Sequence, residues 1–255
     1  MSDPVSRETD GDEPSTSTPS TPAVAGRVFS SARLPLAERY AELLATEGVT
    51  RGLIGPREAP RLWERHLLNS AVLAEAVPEG SSVVDLGTGA GLPGVALAIA
   101  RPDVTVTLVE PLLRRTTFLL EVVAELELSE VTVVRGRAEE LHGERHFDVV
   151  TSRAVAPLDR LLGWSMPLVK GSGALVAMKG RNVTEEIAAS HQVLRRWTCA
   201  APEVLSLGQG IVDPVTTAVR VTWQDPTGPG PIAPRTGGKR HRGGARQRTA
   251  RGAQT

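Results

Sequence analysis

The chain has 255 residues, 29 basic and 29 acidic side chains, a formal charge of zero and a single cysteine. That length supports one sizeable core, while a lone Cys199 and scattered histidines exclude an internal disulfide or a CxxC metal site, so no metal is expected. The longest apolar run is about nine residues, too short to span a bilayer, and the polar N-terminus has no signal-peptide pattern. A soluble, cytoplasmic protein, most simply a monomer, is expected.

The zero charge is unevenly spread. Residues 1–26 carry five acids and one arginine in a Ser-, Thr- and Pro-rich stretch with little to bury, and read as a disordered acidic tail. Residues 235–255 carry six arginines and one lysine with no acid. The segment 226–255 therefore reads as a disordered basic tail, drawn to polyanions by counterion release, with Lys239, Arg240, Arg242 and Arg246 as candidate RNA contacts.

Between the tails, apolar residues at Leu36, Tyr40, Leu43 and Leu44 have the spacing of an amphipathic helix within Val28 to Thr46. A second helix is expected from Ala59 to Val77, placing Trp63, His66, Leu67 and Ser70 near one face; packing accounts for most of that face, His66 included. Residues 27–80 are thus read as N-terminal helices packed on the domain that follows, 81–225.

That domain turns on SSVVDLGTGAGLPG, residues 81–94. A strand runs into Asp85, then a loop with Gly87, Gly89, Gly91 and Gly94, then the apolar start of a helix. Glycines serve where a backbone needs φ > 0 or must approach a ligand closely, and amides at a helix start suit polar ligand atoms. The loop points to a nucleoside without saying which. Gly89-Ala-Gly91-Leu-Pro-Gly94 also fits the GxGxxG pattern of dinucleotide enzymes, with Glu110 in place for a ribose.

From there strands and helices alternate: VTVTLVE (104–110), a helix over 112–127, VTVVR (131–135), FDVVTS (147–152) and ALVAMK (174–179). That alternation implies a parallel α/β sheet with ligands at the carboxyl ends of its strands, where Asp85, Glu110, Arg135, Arg153 and Lys179 fall. EVLSL (203–207) and VTTAVRVTW (215–223) come without an intervening helix and read as an antiparallel hairpin at the sheet's edge. A mostly parallel sheet closed by a hairpin is the class I methyltransferase arrangement, with a Rossmann-like core. The acid-bearing strand ends, Asp85, Glu110 and the Ala138-Glu139-Glu140 cluster, suit a sulfonium and an amine better than a pyrophosphate, which favours S-adenosylmethionine over NAD.

The loop after the fourth strand, TSRAVAPL (151–158), has no aromatic residue and no Asn/Asp-Pro-Pro acceptor for an exocyclic amine, and Cys199 lies far in sequence from the site loops. A heteroatom with its own lone pair, such as guanine N7, fits better because orientation supplies most of the catalysis. Arg153 is the candidate for orienting the substrate or holding the cofactor; Lys179 is a candidate phosphate ligand at the end of the fifth strand.

WERHLLNS, VVDLGTGAGLPG, LVEPLLRRTTFL, VVRGRAEEL, FDVVTSRAVAPL and ALVAMKG, in that order, resemble the motifs of the bacterial ribosomal RNA small subunit methyltransferase G family, also called glucose-inhibited division protein B. The resemblance spans residues 36–223 and implies methyl transfer from S-adenosylmethionine to N7 of a guanine in the 530 loop of 16S ribosomal RNA, either naked or in the small subunit. It assigns cofactor contacts to Gly87, Leu92, Ala138, Glu139 and Arg153, with Asp85 and Glu110 in support. Two positions depart from many relatives: Asn69 stands for Asp, and Arg114-Arg115 for Lys-Lys, a basic pair expected to meet RNA. A nicotinamide-dependent oxidoreductase and a non-catalytic RNA-binding protein are the alternatives.

Overall fold

The computed structural model describes residues 19–227. Seven strands form one sheet: β1 (Ser82–Leu86), β2 (Thr105–Glu110), β3 (Val131–Arg135), β4 (Phe147–Arg153), β5 (Val169–Lys179), β6 (Glu203–Leu207) and β7 (Thr216–Thr222). Their order is β3-β2-β1-β4-β5-β7-β6. The first five pair in parallel, and β7 runs antiparallel to both β5 and β6. The expected hairpin therefore closes the sheet at one edge. The order reverses between β1 and β4, so the crevice beyond their carboxyl ends is where a doubly wound sheet places a ligand.

Strand alternation assigns each side chain to one of two cores. Val83, Val106, Leu108 and Val149 pack with the N-terminal helices, with α3 (Gly94–Ala100) and with α4 (Leu113–Glu125), which buries Phe118, Leu119 and Val122. Val84, Val109, Val150 and Leu175 face α5 (Leu158–Ser165), α6 (Val183–Ala189) and α7 (His191–Arg196) through Leu161, Leu162 and Leu194. Each such leucine or phenylalanine contributes about 1.5–3 kcal/mol on leaving water, so both faces of the sheet are anchored. No helix among the described residues is long and apolar enough to cross a membrane.

The N-terminal part departs from expectation at two places. Residues 19–26, assigned to the acidic tail, pack on the body: Ala25 is fully buried, and the Trp63 indole donates to the Pro19 carbonyl at 3.2 Å. The tail boundary read from composition thus moves back, because Ala23–Arg27 turns as a short 3-10 segment whose small residues fit against the core. Residues 1–18 and the basic segment with Lys239, Arg240, Arg242 and Arg246 lie outside the described residues.

The second departure is the helix expected over Ala59 to Val77. α1 (Leu34–Leu43) forms as the apolar spacing requires, but the next run is broken. It passes through a 3-10 turn (Pro56–Arg61), a widened turn (Leu62–Leu68), one turn of α-helix that we label α2 (Asn69–Ala71) and a tightened turn (Val72–Ala76). Pro60 has no amide to donate, which ends regular helix there, and widened turns of this kind collect at functional sites. Arg33 then ties the region to the sheet layer by donating to the last carbonyls of α3, Ile99 at 3.0 Å and Ala98 at 3.2 Å.

Candidate active site

Two chambers meet above the carboxyl ends of the parallel strands. The inner one, about 710 Å³, is lined by the glycine loop, Glu110, the turn after β3 and the end of β4. The outer one, about 1440 Å³, lies between the widened turn, the loop after β5 and the approach to β7. His66, Arg153, Ala154 and Val155 line both.

The glycine loop takes its shape from steric necessity at particular positions. Gly87 has φ +67°, and a Cβ there would come within 2.8 Å of Val155 Cγ2 across the chamber. At Gly94 a Cβ would strike Leu108 and come within 2.8 Å of Asp85 Oδ2. Gly91 does not line the chamber; its missing side chain makes room for the Tyr40 hydroxyl, which donates to the Ala90 carbonyl at 2.8 Å. The only tyrosine of the chain thus holds the loop from beneath, from an N-terminal helix 50 residues away.

The two carboxylates at the strand ends do different work. Asp85 is fully buried beneath the loop, outside the chamber lining, and its Oδ2 accepts from the Gly94 amide at 2.8 Å. Burial pushes its carboxyl up to about 6, against the pull of its hydrogen bonds and of Arg153. The expectation that Asp85 meets a ligand's amine directly is therefore corrected: it holds the loop at the start of α3. Glu110 does line the inner chamber. Its Oε2 accepts from the Gly89 amide at 3.1 Å and its Oε1 from the Leu112 amide at 3.1 Å, leaving further acceptor capacity toward the chamber.

The basic residues also separate. Arg114 is exposed on α4, whereas Arg115 lines the inner chamber and pairs with Glu110 at 3.3 Å, so the two adjacent arginines have different surroundings. Lys179 reaches the outer chamber wall, but its side chain is only 7% exposed; its ammonium donates to the Ala156 carbonyl at 2.8 Å and pairs with Glu186 at 2.7 Å. The phosphate-ligand reading of Lys179 gives way to a brace for the loop after β4, because its charge is already matched. Glu186 also accepts from the Leu158 amide at 3.1 Å, extending that brace to the start of α5.

Arg153 sits where the chambers join. It donates to Ser70 Oγ at 3.0 Å, the Arg65 carbonyl at 3.0 Å and His66 Nδ1 at 3.1 Å, all neutral acceptors. Ala154, just beyond it, adopts φ +54°, a left-handed conformation costly for a residue with a Cβ. Leu92, Ala138 and Glu139 line the inner chamber together with Gly87 and Gly89. Asn69 borders the outer chamber, where its amide donates to Thr216 Oγ1 at 2.8 Å, so it ties the helical run to β7.

The family described as rRNA small subunit methyltransferase G matches residues 33–210. The chain belongs to this family. It is 64% identical over 248 residues to the Ribosomal RNA small subunit methyltransferase G of a Nocardioides species, covering 97% of this chain and 94% of that one. It is 56% identical to the protein of the same name from Thermobifida fusca, over 79% of this chain and 85% of that one, and 56% identical to that of Streptomyces coelicolor, over 80% and 85%. The strand order and the membership together make the fold that of a class I methyltransferase, with S-adenosylmethionine as its cofactor.

The chamber's own chemistry fits that cofactor. Its volume lies in the ~300–1,000 Å³ range of small-molecule sites. Glu110 offers acceptors to ribose hydroxyls, Leu86, Val109 and Ala138 give an apolar seat for a base, and the Arg153 guanidinium suits a carboxylate. A dinucleotide fits less well. The amide at the start of α3 that a pyrophosphate would use is taken by the Asp85 carboxylate. Reading the sequence missed His66 and Glu58 as a pair, and Arg137 and Trp164 as chamber walls; the only signal was that His66 shares a helix face with Ser70.

Proposed function

We propose that the protein transfers a methyl group from S-adenosylmethionine to N7 of a guanine in the 530 loop of 16S ribosomal RNA, acting as a cytoplasmic monomer. The observation that carries this reading is the junction itself: a cleft with the volume and lining of a nucleoside site continues, past Arg153 and Ala154, into a larger groove suited to a nucleotide. Support for the RNA substrate comes from the groove's exposed cations, Arg61, Arg65 and Arg181, and from relatives named for ribosomal RNA methylation.

The cofactor supplies an electrophilic methyl group on a sulfonium. Guanine N7 carries a lone pair and no proton, so the reaction needs no general base, and Glu58, the carboxylate nearest Arg153 in the chain of contacts, is already bonded to His66. What remains for the protein is alignment and exclusion of water, worth up to ~7–11 kcal/mol in well-oriented reactions. Arg153 orients from the end of β4, Val155 closes over Gly87, and Lys179 braces the loop after β4 that carries Val155.

The test is methyl transfer from labelled S-adenosylmethionine to small subunits or naked 16S RNA lacking the modification, with the modified base mapped. Label on one guanine, sensitive to borohydride and aniline cleavage, is expected; label on a protein or an exocyclic amine overturns the reading. Deleting residues 235–255 is expected to weaken RNA binding and reduce its salt slope, because the tail adds seven cations.

A further inference from the structure

The guanidinium at the junction owes its orientation to a chain of hydrogen bonds crossing three elements. Glu58, on the turn Pro56–Arg61, has its Oε2 2.9 Å from His66 Nε2; His66 Nδ1 lies 3.1 Å from Arg153 Nη2 on β4. A guanidinium has donors only, so Nδ1 must accept, and the neutral ring then carries its proton on Nε2, facing a carboxylate that accepts it. Every atom of the chain is matched in one protonation state alone.

We propose that His66 is a positioning residue for Arg153: its neutral ring, held in the Nε2–H form by Glu58, keeps the guanidinium across the junction of the chambers, and a second ring proton breaks that hold. The proposal rests on Arg153 facing the cofactor. The charged groups acting on His66 are Glu58 on the preceding turn, Arg65 beside it and Arg153 from β4, with Arg61 acting through Glu58; across the outer chamber stand Glu185 and Lys179, the latter already paired with Glu186. Burial, Arg153 and Arg65 push the imidazole below its usual range, while Glu58 pulls it up. The ring is therefore neutral at physiological pH. Protonating it would place an N–H against an N–H between two cations, and the other partners of that guanidinium, Ser70 Oγ and the Arg65 carbonyl, would be left to hold it alone.

A histidine that merely packs has no need of this tautomer or of an acceptor toward Arg153, and that separates the two roles experimentally. In the protein without cofactor, ring ¹⁵N shifts are expected to show the Nε2–H tautomer at pH 7.5 and titration below the usual ~6.5. Arg153→Ala is expected to raise that titration, by removing a cation, and Glu58→Gln to lower it, by removing an anion. Calorimetric binding of S-adenosylmethionine should weaken as the pH falls below ~6.5 in the native protein. His66→Asn, whose amide oxygen can stand where Nδ1 stood, should keep the pH 7.5 affinity within about threefold and flatten the acid limb, whereas His66→Phe should lose about tenfold at every pH. Melting temperatures confirm that each variant is folded. An Nδ1–H tautomer, or an acid limb that persists unchanged in His66→Asn, overturns the proposal. If the native protein ignores S-adenosylmethionine at every pH, it is the cofactor reading that fails, and the ring shifts alone decide the hydrogen-bond chain.

Discussion

At the ends of β1 and β2 the polar groups are carboxylates fastened by backbone amides, Asp85 by Gly94 and Glu110 by Gly89 and Leu112. At the ends of β4 and β5 they are cations fastened by backbone carbonyls, Arg153 by Arg65 and Lys179 by Ala156. Each half uses the backbone group of the complementary sign, and the cations add side-chain partners, Ser70 and His66 for Arg153 and Glu186 for Lys179. The crevice consequently has an acidic and a basic side, and a ligand bearing hydroxyls at one end and a carboxylate at the other has one orientation that satisfies both. The halves also differ in tolerance: the carboxylate half depends on tight backbone packing, the cation half on side chains from separate helices.

The sharpest way to break the first half is Gly94→Ala. The new methyl would strike the Leu108 side chain and crowd Asp85 Oδ2, and both side chains are fully buried, with no open space to move into. Overpacking of this kind costs about 1–3 kcal/mol, here with loss of the Asp85 hydrogen bond in addition, so a fall in Tm of roughly 5–10 °C and loss of cofactor binding are expected. Gly180→Ala is the contrast, since nothing lies within 4 Å of its Cβ position, and its Tm should not move. Equal Tm values for the two would mean that the loop is not packed as described.

Smaller in effect, and sharper as a comparison, is the pair Glu110→Gln and Lys179→Met. The first removes charge from the cofactor side while keeping an acceptor; it should weaken S-adenosylmethionine by about tenfold, with methyl transfer restored at saturating cofactor. The second removes the brace between Ala156 and Glu186, so the β4 loop loosens. It should lower kcat for RNA methylation by about tenfold with little change in cofactor affinity, since Lys179 does not line the inner chamber. The opposite pattern, cofactor affinity lost in Lys179→Met, would restore it as a ligand-binding residue.

How much of this was legible follows from range. The strands were, because β-branched runs such as 104–110 and 131–135 carry their own pattern, and the final hairpin was, because no helix fits between 207 and 216. The glycine loop announced a ligand for a local steric reason. What could not be read is which neighbour each charge finds. Arg114 and Arg115 are adjacent and chemically alike, yet helical rotation sends only the second to Glu110. Lys179 looked free because Glu186 reaches it only once α6 folds back. His66 looked like packing because its partner Arg153 lies 87 positions away, and the break at Pro60 that brings Glu58 to it contradicts the helical periodicity of its own segment.

The least dramatic test concerns Asp85, where the comparison between halves becomes a question of pH. Its carboxyl is raised to about 6 in the folded protein, against 3.8 without burial. The folded state therefore binds its proton more tightly than the unfolded chain does, and stability contributed by the protonated form is lost as the pH rises from about 4 through about 6. Above that window ionised Asp85 costs the fold on the order of 1–3 kcal/mol. Asp85→Asn keeps an oxygen for the Gly94 amide and removes the charge. Its Tm relative to the native protein should rise across that pH window by a few degrees and stay level above it. A difference independent of pH would mean that water or a neighbouring donor already stabilises the buried carboxylate, and that the acidic half is held by charge as firmly as the basic half.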